Sequence, residues 1–261
     1  MTRQKLVSIN GSPSVGPRPA RGRFISFEGM DGSGKSTQIS YLASALRRLG
    51  IDVVLTREPG GTPLGETIRA LLLDVNNRGM HPTTELSLMF ASRAQLVAMV
   101  IEPALKRGEW VLCDRFVDSS EAYQGGGRKL GSEIVLAMQQ ALLGGRTPDL
   151  TILLDHDIAE SVSRARARSM ATEGKESRFE NEGHYFFKRV QETFRQIAAR
   201  DKQRVFLTDA RRPIHVIHQE IVAEVSRRFS HAYPQLTYNN RGTSMMGSGQ
   251  GQTEIPPNAS A

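Results

Sequence analysis

The chain has little cysteine: Cys113 is the only one among its 261 residues. A single thiol excludes an internal disulfide, and its position inside an apolar run favours a small core residue over a nucleophile. We therefore expect a reducing, cytoplasmic location. The sequence also lacks any run of 18 apolar residues and any apolar segment at its N-terminus. Neither a membrane-spanning helix nor a secretory signal is expected.

Positive charge is unevenly spread. The net charge is +7, and residues 1–22 carry four basic residues and no acid. We predict a disordered basic tail over 1–22, a folded domain over 23–230, and a second low-complexity tail over 231–261. A basic tail favours nucleic acid only weakly, and a moderately basic enzyme with anionic substrates explains the charge equally well. Nucleic-acid binding is therefore kept as a minor alternative.

A glycine-rich loop follows the first apolar run, Phe24 to Phe27, and leads into a helical pattern. The string is G-x-x-x-x-G-K-S in its required context of strand, loop and helix. Glycines let successive N–H groups converge on a phosphate, Lys35 supplies charge, and the Ser36 hydroxyl can ligand magnesium. An acid such as Asp31 would be tolerated there beside magnesium or a sugar hydroxyl. The predicted ATP-binding residues are Gly29, Met30, Asp31, Gly32, Ser33, Gly34, Lys35, Ser36 and Thr37.

Apolar runs alternate with helical patterns along the rest of the domain. Four further strands are predicted at 53–55, 110–113, 150–154 and 205–207. Helices are predicted at 35–49, 63–73, 83–107, 132–143, 158–168, 184–200 and 214–229, with a kink at Pro103. Residues 116–128 are predicted as a loop, and 169–182 as a mobile polar loop. This alternation predicts an α/β fold, a five-stranded parallel sheet with helices on both faces.

Two absences narrow the choice among phosphate-binding proteins. No N-K-x-D string is present to recognise guanine, and no L-S-G-G-type signature of a transporter ATPase occurs. Polar clusters instead follow strands two, three and four, where a second phosphorylated substrate could lie opposite ATP. Asp114 and Arg115 could serve as a magnesium carboxylate and a phosphate clamp, or form a structural ion pair. Arg93 could be a ligand residue or a surface arginine.

Three arginines, Arg164, Arg166 and Arg168, recur on one predicted helix. Helical geometry places Arg164 and Arg168 on one face and Arg166 nearly opposite. They could grip a phosphate or form a solvated basic face.

These clusters together resemble bacterial thymidylate kinase (dTMP kinase) over about residues 23–229. The strings that carry the resemblance are FEGMDGSGKST, TREPGGT, the Phe90–Arg93 helix, CDRFVDSSEAYQGGGR, TPDLTILLD, and RARAR with SRFE. The resemblance implies a P-loop nucleoside monophosphate kinase that phosphorylates dTMP to dTDP with MgATP, for dTTP synthesis. It also implies a cytoplasmic homodimer whose partners are ATP and dTMP. Kinases of uridylate, cytidylate or broad specificity remain alternatives.

Site roles follow from the same resemblance. Phe90 would stack on thymine and Arg93 would hydrogen-bond its carbonyl. Arg115 would hold the acceptor phosphate, and Asp31 would touch the sugar or a magnesium-bound water. The further implied contacts with dTMP are Arg69 at the phosphate, Ser120 and Gln124 near the base, and Tyr123 against the deoxyribose.

The family has two arrangements of its catalytic arginine, one in the P-loop and one in the lid. No basic residue precedes Lys35 in this loop, so the chain resembles the lid-arginine type, with a lid at about 164–182. Arg168 is our first candidate for the transition-state contact, and Arg164 the second. Ser36 and Asp114 are the candidate magnesium residues.

Overall fold

Five parallel strands form the centre of the protein. The structure is a computed structural model that describes residues 21–171 and 178–237, with only the backbone described at 165–166, 168–171 and 180–181. The strands run in the spatial order β2-β3-β1-β4-β5, and every neighbouring pair is parallel. They are β1 (Phe24–Glu28), β2 (Val53–Arg57), β3 (Trp110–Asp114), β4 (Leu150–Asp155) and β5 (Val205–Asp209).

Helices cover both faces of this sheet. They are α1 (Lys35–Arg48), α2 (Pro63–Leu73), α3 (Pro82–Leu96), α4 (Glu102–Lys106), α5 (Val117–Ser120), α6 (Ser132–Leu143), α7 (Ile158–Ala171), α8 (His184–Arg200) and α9 (Ile214–Phe229). Successive strand residues point to opposite faces. Ile25 and Phe27 accordingly pack against α1 and α9, whereas Phe24 packs against α3, α4 and α6. The predicted α/β architecture is confirmed.

The long helical run from Pro82 to Lys106 is long and apolar enough to cross a membrane by length and composition alone. Its residues Leu86, Phe90 and Leu96 are fully buried against the sheet, and it carries the buried charges Glu85 and Arg93. A core helix of a globular protein shows this pattern, because charged residues are almost never fully buried unless they are paired inside the fold.

The predicted kink at Pro103 takes the form of a change in hydrogen bonding. A π-helical segment, Val97–Ile101, separates α3 from α4, and the N–H of Glu102 donates to the carbonyl of Val97. Proline has no N–H to give and its ring crowds the preceding turn, so the helix widens there rather than stopping.

Three segments were predicted wrongly from sequence. Residues 117–127, predicted as loop, are helical, since α5 continues into a π-helical segment, Glu121–Gly127. Within the predicted mobile loop, Arg178–Asn181 is a 3₁₀ helix with Arg178 and Phe179 buried. The second tail does not begin at 231, because Tyr233 and Leu236 pack onto the core beside Trp110. The other tail residues, 1–20 and 238–261, lie outside the described residues.

Candidate active site

The glycine loop after β1 adopts the backbone that its sequence predicts. Gly29 and Gly34 have φ values of 129° and 93°, which side chains disfavour. A Cβ on Gly29 would also lie 2.4 Å from the carbonyl oxygen of Leu154. The Nζ of Lys35 donates to the carbonyls of Gly29 (3.1 Å) and Met30 (2.9 Å). The loop is therefore curled around its own lysine at the start of α1.

The environment of Lys35 lowers the pKa of its ammonium group. Burial and, to a smaller extent, the nearby Arg115 lower the pKa of Lys35 to about 8. Asp114 and Asp31 act in the opposite direction. An anionic phosphate at this loop would restore the charge that burial disfavours.

Ser36 and Asp114 meet at the same edge of the sheet. The Ser36 hydroxyl donates to Asp114 Oδ2 at 3.3 Å, whereas Asp114 Oδ1 is buried without a hydrogen-bond partner. An unsatisfied carboxylate oxygen beside a hydroxyl fits a magnesium ion that takes its other ligands from phosphate and water. Among the residues that the structure describes, no group of three or more His, Cys, Asp or Glu side chains could hold a metal unaided.

Arg115 forms its ion pair with the glycine loop rather than with the adjacent Asp114. Its Nη2 lies 2.8 Å from Asp31 Oδ1, and its Nη1 donates to the Ser119 hydroxyl at 2.9 Å. The guanidinium also lies over the Tyr123 ring, 5.1 Å from its centroid. Arg115 has φ +74°, a left-handed conformation that is uncommon outside glycine. That turn directs the side chain from the end of β3 back across β1.

A buried acid, Glu28, supports this turn and was not predicted from the sequence. Its Oε1 accepts from the N–H of Phe116 at 2.7 Å, and its Oε2 from the Ser119 hydroxyl at 2.5 Å. Burial and, to a smaller extent, the neighbouring Asp118 raise the pKa of Glu28 to about 8. An acid at the last position of a buried strand was the available signal.

A cavity of about 160 Å³ opens beside Arg115. Its walls come from the glycine loop, the turn after β2, helices α2 and α3, and the helical segment after β3. Seven residues predicted from sequence line it: Asp31, Arg69, Arg93, Arg115, Ser120, Tyr123 and Gln124. Six others were missed: Glu58, Pro59, Leu73, Met89, Ser119 and Phe179.

Phe90, the predicted stacking residue, does not line the cavity. Its side chain is fully buried in the core against the sheet, and Met89 lines the cavity instead. Met89 and Arg93 are four residues apart and share a helical face. Phe90 lies beneath, with the Arg93 guanidinium 4.7 Å from its ring centroid. The residue that borders the cavity is therefore Met89, one position before the predicted Phe90.

Arg93 and Glu58 form a buried ion pair in the cavity wall. Arg93 Nε lies 2.6 Å from Glu58 Oε2, and both side chains are almost completely buried. Arg93 Nη2 donates to the carbonyl of Phe116 and the hydroxyl of Ser120. Arg93 Nη1 and Glu58 Oε1 have no hydrogen-bond partner. Burial raises the pKa of Glu58 to about 7 against the opposing effect of Arg93. Arg93 is thus a buried residue, not a surface arginine.

The remaining predicted cations are differently placed. Arg69 Nη1 donates to the carbonyl of Pro59 at 2.9 Å, which holds the guanidinium at the cavity wall. Arg164 pairs with Glu160 on its own helix and is half exposed. The side chains of Arg166 and Arg168 lie outside the described residues, so their predicted roles stay predictions. Arg178 is buried against Glu85.

Comparisons with a family model and with individual proteins point to the same family. A family model described as thymidylate kinase matches residues 27–221. A thymidylate kinase of Pseudomonas putida (strain GB-1) is 49% identical over 202 residues, 77% of this chain and 94% of its own. One from Pseudomonas savastanoi pv. phaseolicola is 47% identical over 221 residues, 85% and 99% of the two chains. This chain belongs to the thymidylate kinase family.

A solved structure supports the same assignment. Thymidylate kinase from Ehrlichia chaffeensis superposes with a TM-score of 0.63 at 32% identity, and covers 78% of this chain and 98% of its own. Membership in the thymidylate kinase family confirms the resemblance drawn from the motifs, and with it the class of nucleoside monophosphate kinases. The matched region contains the glycine loop and every residue that lines the cavity.

The pKa of Lys35 leads to a testable pH dependence of ATP binding. Below pH 8 the free protein carries the lysine charge, and above pH 8 binding must take up a proton. We expect ATP affinity, measured by titration calorimetry, to fall by up to about tenfold per pH unit between pH 8 and 9.5. ATP is fully ionised over this range. The Lys35→Arg variant, which keeps its charge, should bind more weakly but with a flat profile. A flat wild-type profile would contradict the prediction.

Proposed function

We propose that the protein transfers the terminal phosphoryl group of ATP to dTMP, giving dTDP and ADP in the synthesis of dTTP for DNA replication. One observation carries the proposal: the Arg115 guanidinium joins two sites. It pairs with Asp31 in the glycine loop and also lines the cavity. A fixed cation between two phosphate sites offsets the repulsion of two polyanions that must react in line.

Phosphate positioning follows from the charges on either side of the reacting groups. On the ATP side, the loop amides and Lys35 would hold the outer phosphates. On the acceptor side, Arg115 and Arg69 would hold the phosphate of dTMP. Both arginines are anchored by hydrogen bonds to neighbouring groups, Ser119 for Arg115 and the Pro59 carbonyl for Arg69. Such anchoring pre-organises the cations, so little reorganisation is needed when charge develops.

Base recognition would use the unsatisfied atoms in the cavity wall. Arg93 Nη1 is a buried donor without a partner, and a thymine carbonyl would satisfy it. Ser120 and Gln124 lie in the same wall and would be near the base. Tyr123, whose ring packs under Arg115, would lie against the deoxyribose and disfavour a 2′-hydroxyl. Met89 would contact the base in place of Phe90.

The proposal includes magnesium and a lid arginine. Ser36 and Asp114 would hold the ion, which neutralises charge on the ATP phosphates when bound. The unpartnered Asp114 Oδ1 supports this assignment. Arg168, with Arg164 as second candidate, would contact the transferred phosphoryl group. Asp31 would touch the acceptor sugar or a water of the ion.

A homodimer in the cytoplasm completes the proposal. Several large apolar side chains are exposed on α2, α6 and the π-helical segment between α3 and α4, which a second copy could cover: Leu64, Leu71, Met99, Ile134, Leu136 and Leu142. Light scattering should give twice the chain mass of 28.8 kDa. A single-chain mass at micromolar concentration would contradict this part of the proposal.

The reaction is tested by a panel of acceptors. The purified protein is mixed with ATP, magnesium and, separately, dTMP, dUMP, UMP and CMP, and ADP release is measured. We expect clear preference for dTMP over UMP and CMP, because the cavity wall offers the buried Arg93 Nη1 donor at the base and the Tyr123 ring at the sugar. Preference for UMP or CMP would overturn the specificity. Absence of activity with every acceptor would overturn the function.

Substitutions at Met89 and at Phe90 should have different effects on the KM for dTMP and on stability. Met89→Ala removes a contact with the base and should raise the KM for dTMP by about tenfold with little loss of stability. Phe90→Leu keeps an apolar side chain beneath Arg93 and does not border the cavity, so it should lower the free energy of unfolding by about 1–3 kcal/mol and leave KM within about twofold. Steady-state kinetics and urea denaturation measure the two effects. A raised KM in Phe90→Leu alone would return Phe90 to the base.

A further inference from the structure

A buried cluster of charges lies behind the cavity without lining it. Its central member is Glu85, a fully buried acid in the first turn of α3. Four other side chains complete what we call the Glu85 cluster: Gln124, Arg128, Arg178 and Glu182. Of these five residues, only Gln124 also lines the cavity.

Glu85 is the common acceptor of three donors from separate parts of the chain. Arg178 Nη1 lies 2.7 Å from Glu85 Oε2, and Arg128 Nη2 lies 3.1 Å from the same oxygen. Gln124 Nε2 donates to Glu85 Oε1 at 2.8 Å. Arg128 Nη1 pairs in addition with Glu182 at 2.5 Å. Two acids thus balance two guanidinium groups inside the fold, which satisfies the main requirement for burying charge.

Arg178 is connected to two walls of the cavity. Arg178 immediately precedes Phe179, which lines the cavity and packs edge-on against Tyr123 with ring centroids 6.0 Å apart. Arg178 Nε also donates to the carbonyl of Leu72 in α2 at 3.1 Å, next to the wall residue Leu73.

Glu85 itself belongs to a third wall, helix α3. Glu85 lies one helical turn before Met89 in α3, and four-residue spacing places both on one face. Gln124 belongs to the helical segment after β3. The Arg178–Glu85 pair therefore joins walls from four chain segments, α2, α3, the helical segment after β3 and the 178–181 segment, and Arg178 is the link between the 178–181 segment and the others.

We propose that the Arg178–Glu85 ion pair is a positioning device for the acceptor nucleotide: it fixes Phe179 against the cavity and thereby sets the affinity for dTMP. The inference deepens the proposed function and rests on its assignment of the cavity to dTMP. Neither residue touches the nucleotide, so both act through the wall residues. Among the described residues, the cluster has no hydrogen bond or ion pair with the glycine loop, so binding of ATP should not depend on it.

The Arg178→Met variant tests the link with the least disturbance. Glu85 keeps Arg128 and Gln124, so no buried acid is left without a partner, whereas Glu85→Gln would leave two guanidinium groups around a neutral side chain. We expect the KM for dTMP to rise about tenfold, since residues in direct contact are energetically coupled. The KM for ATP should stay within about twofold. Calorimetric titration of dTMP without ATP should show the same weakening.

Arg228→Met is the matched control. Arg228 forms an ion pair with Glu224 on α9 that is similarly shielded from water, and it lies away from the cavity. It should lower the melting temperature without changing either KM. An Arg178→Met variant that behaves like Arg228→Met would overturn the proposal, because its role would then be structural only.

A second variant covers the case in which Arg178→Met does not fold. Phe179→Leu leaves the Glu85 cluster intact and alters only the wall, and it should raise the KM for dTMP in the same way. An unchanged KM for dTMP in Phe179→Leu would overturn the inference. If the wild-type protein prefers another acceptor, the same comparisons are made with that acceptor. The proposed specificity would then fail while the positioning role is still tested.

Discussion

The candidate site depends on one constraint: charges that are removed from water must be compensated inside the protein. Glu58 is buried against Arg93, Glu85 against Arg178, and Asp118 against Arg204. Breaking such a pair by removing one partner typically costs about 3–5 kcal/mol, whereas an exposed pair is worth about 1 kcal/mol or less. Geometry around the cavity is therefore fixed by a few contacts rather than by many weak ones. A rigid wall of this kind holds its donors in place before a ligand arrives.

Compensation is incomplete for several buried atoms of the described residues, and three of them belong to the candidate site. Arg93 Nη1, Glu58 Oε1 and Asp114 Oδ1 are buried without hydrogen-bond partners. An unsatisfied buried polar atom costs about 1–3 kcal/mol, so a fold that retains three of them near one cleft sacrifices stability there. The charge of Lys35 is likewise incompletely compensated, because burial lowers its pKa to about 8 and an anion would restore its charge. The strained φ of Arg115 belongs with these features, since strain collects at functional sites.

The local parts of this arrangement were predictable from sequence. The glycine loop, the five strands and the bounds of α2, α6 and α9 follow from turn chemistry and from apolar periodicity, which act over a few residues. Arg93 was a candidate from its place on an apolar helix, and recognition of the ordered motifs added the cavity residues Ser120, Tyr123 and Gln124. Phe90 shows the limit, because periodicity places a residue on a helix face but does not fix which of two adjacent side chains borders a cleft.

The parts that escaped prediction are the buried acids, and the reason is physical. Glu28, Glu58 and Glu85 look like ordinary surface residues in sequence, since acids are almost never fully buried unless they are paired. Each becomes interior only when a distant partner arrives: Glu85 lies 93 positions before Arg178, and Glu58 lies 35 before Arg93. Both members of such a pair must enter together, because either alone would be an uncompensated buried charge. Residues that look dispensable in sequence thus fix the geometry on which the recognisable motifs depend.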